Sequence, residues 1–141
     1  MASQLEGWLE MKNSAVALPK PTEGELEILH VLWSRDGCTV REVYEVLWLG
    51  GGAGYTTALK MLQVMHGKGL VVRDDSQRAH VYRAALSKER TQKRFLADMV
   101  QRVFDGSPSQ LVLHALGSQH TSPEELKEIR KLLNKLDKEV S

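Results

Sequence analysis

Thr56, Thr57, Lys60 and Gln63 are polar side chains at helical spacing, and they carry the most legible chemistry in the chain. They fall in the stretch Gly54 to Gly69, where Ala58, Leu62 and Met65 recur at the period of one helix face. The result is a helix with an apolar back and a polar front. A helix that enters a nucleic-acid groove needs that division. Lysine can donate to guanine O6 or N7, and glutamine can pair with adenine. Threonine hydroxyls and the free N–H groups of a first helical turn can hold a phosphate. Tyr55 opens the stretch, Lys68 closes it, and Gly69 stands where a C-terminal cap falls. Taken alone, the same residues read better as a solvated amphipathic helix, with Thr56 or Thr57 as its cap.

Other reactive side chains point nowhere. The histidines are His30, His66, His80, His114 and His120, and no two share a metal-ligand spacing. The single Cys38 excludes an intramolecular disulfide and any multi-cysteine metal site. It reads as a partly buried structural cysteine rather than a thiol sensor. Gly50-Gly51-Gly52 lacks the Gly-Lys-Ser/Thr of a phosphate loop and a strand before it. No nucleophile, base and orienting group stand at a legible spacing. The expectation is a non-enzyme with no cofactor and no metal.

The elements that must position the polar front are well punctuated. Thr22-Glu23-Gly24-Glu25 and Thr39-Val40-Arg41-Glu42 are capping boxes that start two helices. Leu26, Leu29, Val31, Leu32 and Trp33 give the first an apolar face, and Val40, Val43, Val46 and Leu47 give the second one. Tyr44 and Trp48 sit one turn apart on the second helix and are expected to cover the core. The glycine run then breaks the chain before the Tyr55 helix, so the second and third helices form a helix-turn-helix. Leu70–Arg73 and Ala79–Arg83 read as strands about a polar turn. Three helices followed by a hairpin are a winged helix. Arg78 and His80 at the wing, with Lys68 and Arg73 beside it, are expected at DNA phosphates, and Arg41 at the start of the second helix is a further candidate.

Ser87 caps a fourth helix expected to reach about Asp105, and Ser107-Pro108 and Ser122-Pro123-Glu124-Glu125 open two more. In the last, Leu126, Ile129, Leu133, Leu136 and Val140 repeat with coiled-coil spacing. Helices this few cannot hide several apolar faces alone. Phe95, Met99, Val103, Leu111, Leu126, Ile129, Leu133 and Leu136 are therefore expected at a homodimer interface. The predicted organisation is a mainly α chain: an extension over residues 1–20, a winged-helix DNA-binding domain over 21–86, and a helical dimerisation domain of three helices over 87–141.

Composition neither forces nor forbids this reading. With 42% apolar and 26% charged residues the chain is ordinarily globular. No apolar run nears the roughly 20 residues of a membrane helix, so a cytoplasmic protein without stable membrane association is expected. The net charge of +1 favours a rival reading, a winged-helix protein–protein interaction scaffold that binds no DNA. Against it stands a local basic window of Lys60, Lys68, Arg73, Arg78 and Arg83.

Several stretches together resemble the penicillinase repressors, a family of β-lactamase and methicillin-resistance repressors with copper-responsive relatives. They are Thr22–Leu29 with Val31-Leu32-Trp33, Thr39–Val43, Tyr55-Thr56-Thr57 with Met61-Leu62-Gln63, Lys68–Val71, Arg78–Arg83, Phe104–Ser107 and Ser122–Leu126. The resemblance implies a homodimeric winged-helix repressor whose third helix reads double-stranded operator DNA. It also implies release by a membrane sensor protease that cuts near His114-Ala115. Well-known members carry asparagine-phenylalanine there, and many carry arginine where this chain has Val64. The paired cysteines of the copper-type relatives have no counterpart here.

Overall fold

The computed structural model describes residues 20–140. Apart from Lys20, the N-terminal extension expected over residues 1–20 lies outside the described residues. Among the described residues there are six helices and one two-stranded sheet. They are α1 (Glu23–Ser34), α2 (Val40–Trp48), α3 (Tyr55–Lys68), β1 (Val71–Asp74), β2 (Val81–Ala84), α4 (Lys88–Arg102), α5 (Pro108–Ser118) and α6 (Pro123–Val140). None is long and apolar enough to cross a membrane. The chain divides into two compact units, Met1–Met99 and Val100–Ser141, with the division inside α4.

In the first unit the capping boxes form as the sequence predicts. The Thr22 N–H donates to Glu25 Oε1 at 2.9 Å and the Glu25 N–H to Thr22 Oγ1 at 3.2 Å. Thr39 and Glu42 repeat the exchange at 3.0 and 3.2 Å. Helices α1, α2 and α3 and the sheet bury one apolar cluster, with Ile28, Leu29, Leu32, Val43, Ala58, Leu62, Met65, Val71 and Tyr82 among its members. Tyr44 and Trp48 pack against it. The cluster corrects two readings of the helix faces. Ile28 is fully buried although the sequence pattern passes it over, and Val46, expected in the core, is exposed. At the roughly 100° step of a helix Leu47 falls between Val40 and Val43 and packs on the cluster, whereas Val46 lies to one side of that face.

The hairpin is antiparallel, with Val71 opposite Ala84 and Arg73 opposite Tyr82. Its first strand starts and ends one residue later than expected. Leu70 is taken by the end of α3: Gly69 adopts a left-handed φ of 82°, and the Leu70 N–H donates to the Met65 carbonyl. The strand β2 is likewise displaced, covering Val81–Ala84 rather than Ala79–Arg83. Cys38 is fully buried and exchanges two backbone hydrogen bonds with Tyr82, which tie the α1–α2 turn to β2. The Trp33 indole N–H donates to the Leu86 carbonyl at 2.9 Å and fixes the exit from the hairpin to α1.

Ser87 caps α4 through the Arg90 N–H. The helix ends at Arg102, a turn before the expected Asp105. Asp105 and Gly106 both have positive φ, and the Gly106 N–H closes back onto the Val100 carbonyl. In the second unit α5 and α6 are capped by Ser107 and Ser122. Neither helix has a buried residue, a pattern opposite to that of α1 to α3.

Candidate nucleic-acid interface

Helix α3 presents two unlike faces because its sequence alternates at helical period. Ala58, Leu62 and Met65 are fully buried, whereas Thr56, Thr57, Lys60, Gln63, Val64 and Gly67 are exposed. The exposed residues fill the sector opposite the core. The front of the helix also differs from the other five. They all begin on a serine or threonine whose hydroxyl accepts a backbone N–H. Helix α3 begins on Gly54, which supplies no side-chain cap. Neither Thr56 nor Thr57 therefore serves as its cap, and the first-turn N–H groups open to the outside beside their hydroxyls.

The helix is held from both ends. At its start the Tyr55 ring meets Tyr44 edge to face at 6.2 Å, and the Arg41 guanidinium lies 5.7 Å from the Tyr55 ring. Arg41 also approaches Glu45 Oε1 at 3.6 Å but remains largely exposed. At its end Lys68 Nζ donates to both carboxylate oxygens of Glu25, at 3.1 and 2.9 Å. Glu25 is only 4% exposed. Burial alone would push its carboxyl up, but the Thr22 N–H and the Lys68 ammonium outweigh it and hold Glu25 below its ordinary value. In the middle Gly24 of α1 lets Met61 come close; a Cβ there would stand 3.1 Å from Met61 Cε.

The structure thus distributes the expected phosphate contacts unevenly. Lys68 is committed to Glu25 and works as a clamp between α1 and the end of α3. Arg73 Nε lies 2.7 Å from Asp75 Oδ1, so Arg73 braces the hairpin turn. His80 Nδ1 approaches the same carboxylate oxygen at 3.5 Å. His80 is exposed, as is Arg78 at the tip. Sequence reasoning missed the Glu25–Lys68 pair because a capping box already accounts for Glu25, and nothing local links it to a lysine on another helix. Among the described residues no group of three potential metal ligands occurs. Burial and the nearby Glu42 carboxylate raise the Cys38 thiol above its ordinary value, with Arg35 opposing them. That is the reverse of an activated thiolate.

In the second unit the expected dimer residues divide by exposure. Leu133 and Leu136 are 52% and 45% exposed, and Val103 also lies open. Leu111, Leu126 and Ile129 are half-buried within the chain itself. In the first unit Met99 is exposed, and Phe95 is half-buried under Lys20, which also pairs with Asp98. His114 and Ala115 lie exposed in the regular turns of α5, where the His114 ring sits 5.7 Å from Phe104 and its carbonyl accepts from Ser118 Oγ.

Comparison with known proteins places this geometry. Residues 21–135 match the penicillinase repressor family. The methicillin resistance regulatory protein MecI of Mammaliicoccus sciuri is 18% identical over 114 residues, 81% of this chain and 93% of the relative. MecI of Staphylococcus aureus matches to the same extent. Two solved structures are similar at lower superposition. One is a homodimeric winged helix-turn-helix DNA-binding domain from Mycobacterium bovis, 23% identical with TM-score 0.42, covering 85% of this chain and 93% of that one. The other is a MarR family regulator from Silicibacter pomeroyi, 21% identical with TM-score 0.38, covering 99% and 84%. The family match alone spans the helix-turn-helix, the wing and most of the C-terminal helices, and the chain belongs to the penicillinase repressor family of transcriptional regulators, which are not enzymes.

Proposed function

We propose that this protein is a cytoplasmic homodimeric repressor that reads a palindromic operator, placing α3 in the major groove of each half-site and the hairpin tip against the flanking backbone. The observation that carries the reading is the outward face of α3, where Thr56, Thr57, Lys60 and Gln63 stand exposed on a helix whose opposite face is fully buried. Lys60 and Gln63 supply base contacts, and Thr56, Thr57 and the uncapped first turn hold a phosphate. Tyr55 and Arg41 line the front of the helix, and Arg78 and His80 supply backbone contacts from the wing. Lys68 and Arg73, paired with Glu25 and Asp75, hold the end of α3 and the hairpin tip in place for these contacts. Residues 21–86 form the DNA-binding part and 87–141 the dimerisation part. Dimerisation uses the leucine seam of α6 with Met99, Val103, Leu111 and Phe95.

Similarity to the methicillin resistance regulatory protein MecI supports control of β-lactam resistance genes. Release by a membrane sensor protease at His114-Ala115 completes this reading. Because that bond lies inside α5, cutting requires the helix to unwind locally. Gel shifts across salt test the core of the proposal. A repressor of this kind loses affinity steeply between about 50 and about 200 mM salt. The net charge of +1 supports the rival reading of a protein-binding scaffold, and a shift absent at every salt concentration would overturn the repressor reading in its favour.

A further inference from the structure

We infer that Val64 is a specificity-determining residue that reads the 5-methyl group of a thymine in the operator half-site; this rests on the DNA-binding reading above. The outward sector of α3 is polar except at Val64, which is 45% exposed. It stands one turn beyond Lys60 and next to Gln63, so all three side chains present to the same groove. With nearly half its surface open it contributes little to the core, which α3 supplies through Ala58, Leu62 and Met65. It also borders a shallow depression lined by Thr22, Glu25, Thr57, Lys60 and Met61. A β-branched side chain on a helix loses χ1 freedom, so valine is a poor choice for a face that meets only water.

The chemistry then names the target. Valine has no hydrogen-bonding atom and can gain only from apolar contact. Of the four bases, thymine alone presents a methyl group in the major groove. The flanking Lys60 and Gln63 suit guanine and adenine edges, so the thymine read by Val64 neighbours those positions.

The test uses the full-length protein and the tightest-binding duplex selected from a random-sequence pool. Each thymine is replaced singly by deoxyuridine, which removes the methyl and nothing else. One position per half-site is expected to weaken wild-type binding about fourfold, the value of one buried methyl-sized group. Val64→Ala is expected to bind the thymine and uridine forms of that site equally, while Val64→Ile keeps the preference. Circular dichroism confirms that the variants fold, as an exposed site allows. A uridine series with no sensitive position overturns the assignment while leaving DNA binding intact, and so does a sensitivity that survives in Val64→Ala. Failure to select any duplex overturns both this inference and the repressor reading.

Discussion

Lys60 and Lys68 illustrate how two lysines on one helix take different work. Lys60 faces outward without an ion-pair partner among the described residues, and Lys68 reaches back to a buried carboxylate. Lys60→Ala should weaken binding to the selected operator by about 1–3 kcal/mol, and unequally according to the base opposite. Equal loss on every sequence would make Lys60 a phosphate anchor. Lys68→Ala should instead lower stability by about 1–3 kcal/mol, because Glu25 is left buried with only its backbone donor. Partial exposure of Lys68 keeps the figure below that of a fully buried pair. The pH dependence follows from Glu25, whose carboxyl is held below the ordinary value of 4.5. A carboxyl with a depressed native pKa adds stability above its unfolded pKa and loses it as pH falls through the native one. Glu25→Gln should therefore be less stable than wild type at about pH 7, and the gap should close as pH falls below 4.5 in urea unfolding. A gap of constant size across that range would deny the pair its electrostatic role.

The elements were legible where local chemistry sets them. Thr22, Thr39, Ser87, Ser107 and Ser122 each announce a helix start, because a hydroxyl that accepts a first-turn N–H needs no distant partner. Gly69 announces the end of α3 in the same way, through a left-handed cap. What stayed hidden depends on tertiary contact. The end of α4 is set by closure of Gly106 onto Val100, and the burial of Glu25 by a lysine 43 positions away. Thr56 or Thr57 reads locally as the cap of α3, yet the helix begins on Gly54 without a side-chain cap, unlike the other five described helices. Gly67 permits a test at this scale. It lies in the last turn of α3 on the outward face, and a Cβ there would meet nothing within 4 Å. Gly67→Ala should raise stability by about 0.5 kcal/mol, at the low end because the site is next to the helix end, seen as a higher melting temperature. If the outward face approaches DNA closely, the same variant should bind operator no better, and worse where the added methyl meets a phosphate.

At the scale of the whole molecule, the two units differ in how they satisfy their apolar residues. The first closes a core around Ile28, Leu62 and Tyr82. The second leaves Leu113, Leu132, Leu133, Leu136 and Val140 exposed on helices without a single buried residue. Exposed leucines repeating at coiled-coil spacing are costly in water and gain when a second copy covers them. A two-fold pair also suits a palindromic operator, whose half-sites repeat about every 34 Å along the duplex or at a multiple of it. Leu133→Asp places a charge at the middle of this seam and should give monomers in sedimentation, with α1 to α3 still folded by circular dichroism. Because the two half-sites then bind independently, affinity for the full palindrome should fall toward that for a single half-site. A dimer that survives Leu133→Asp would move the interface off the α6 seam. A monomer that keeps full affinity for the palindrome would remove pairing from the recognition mechanism.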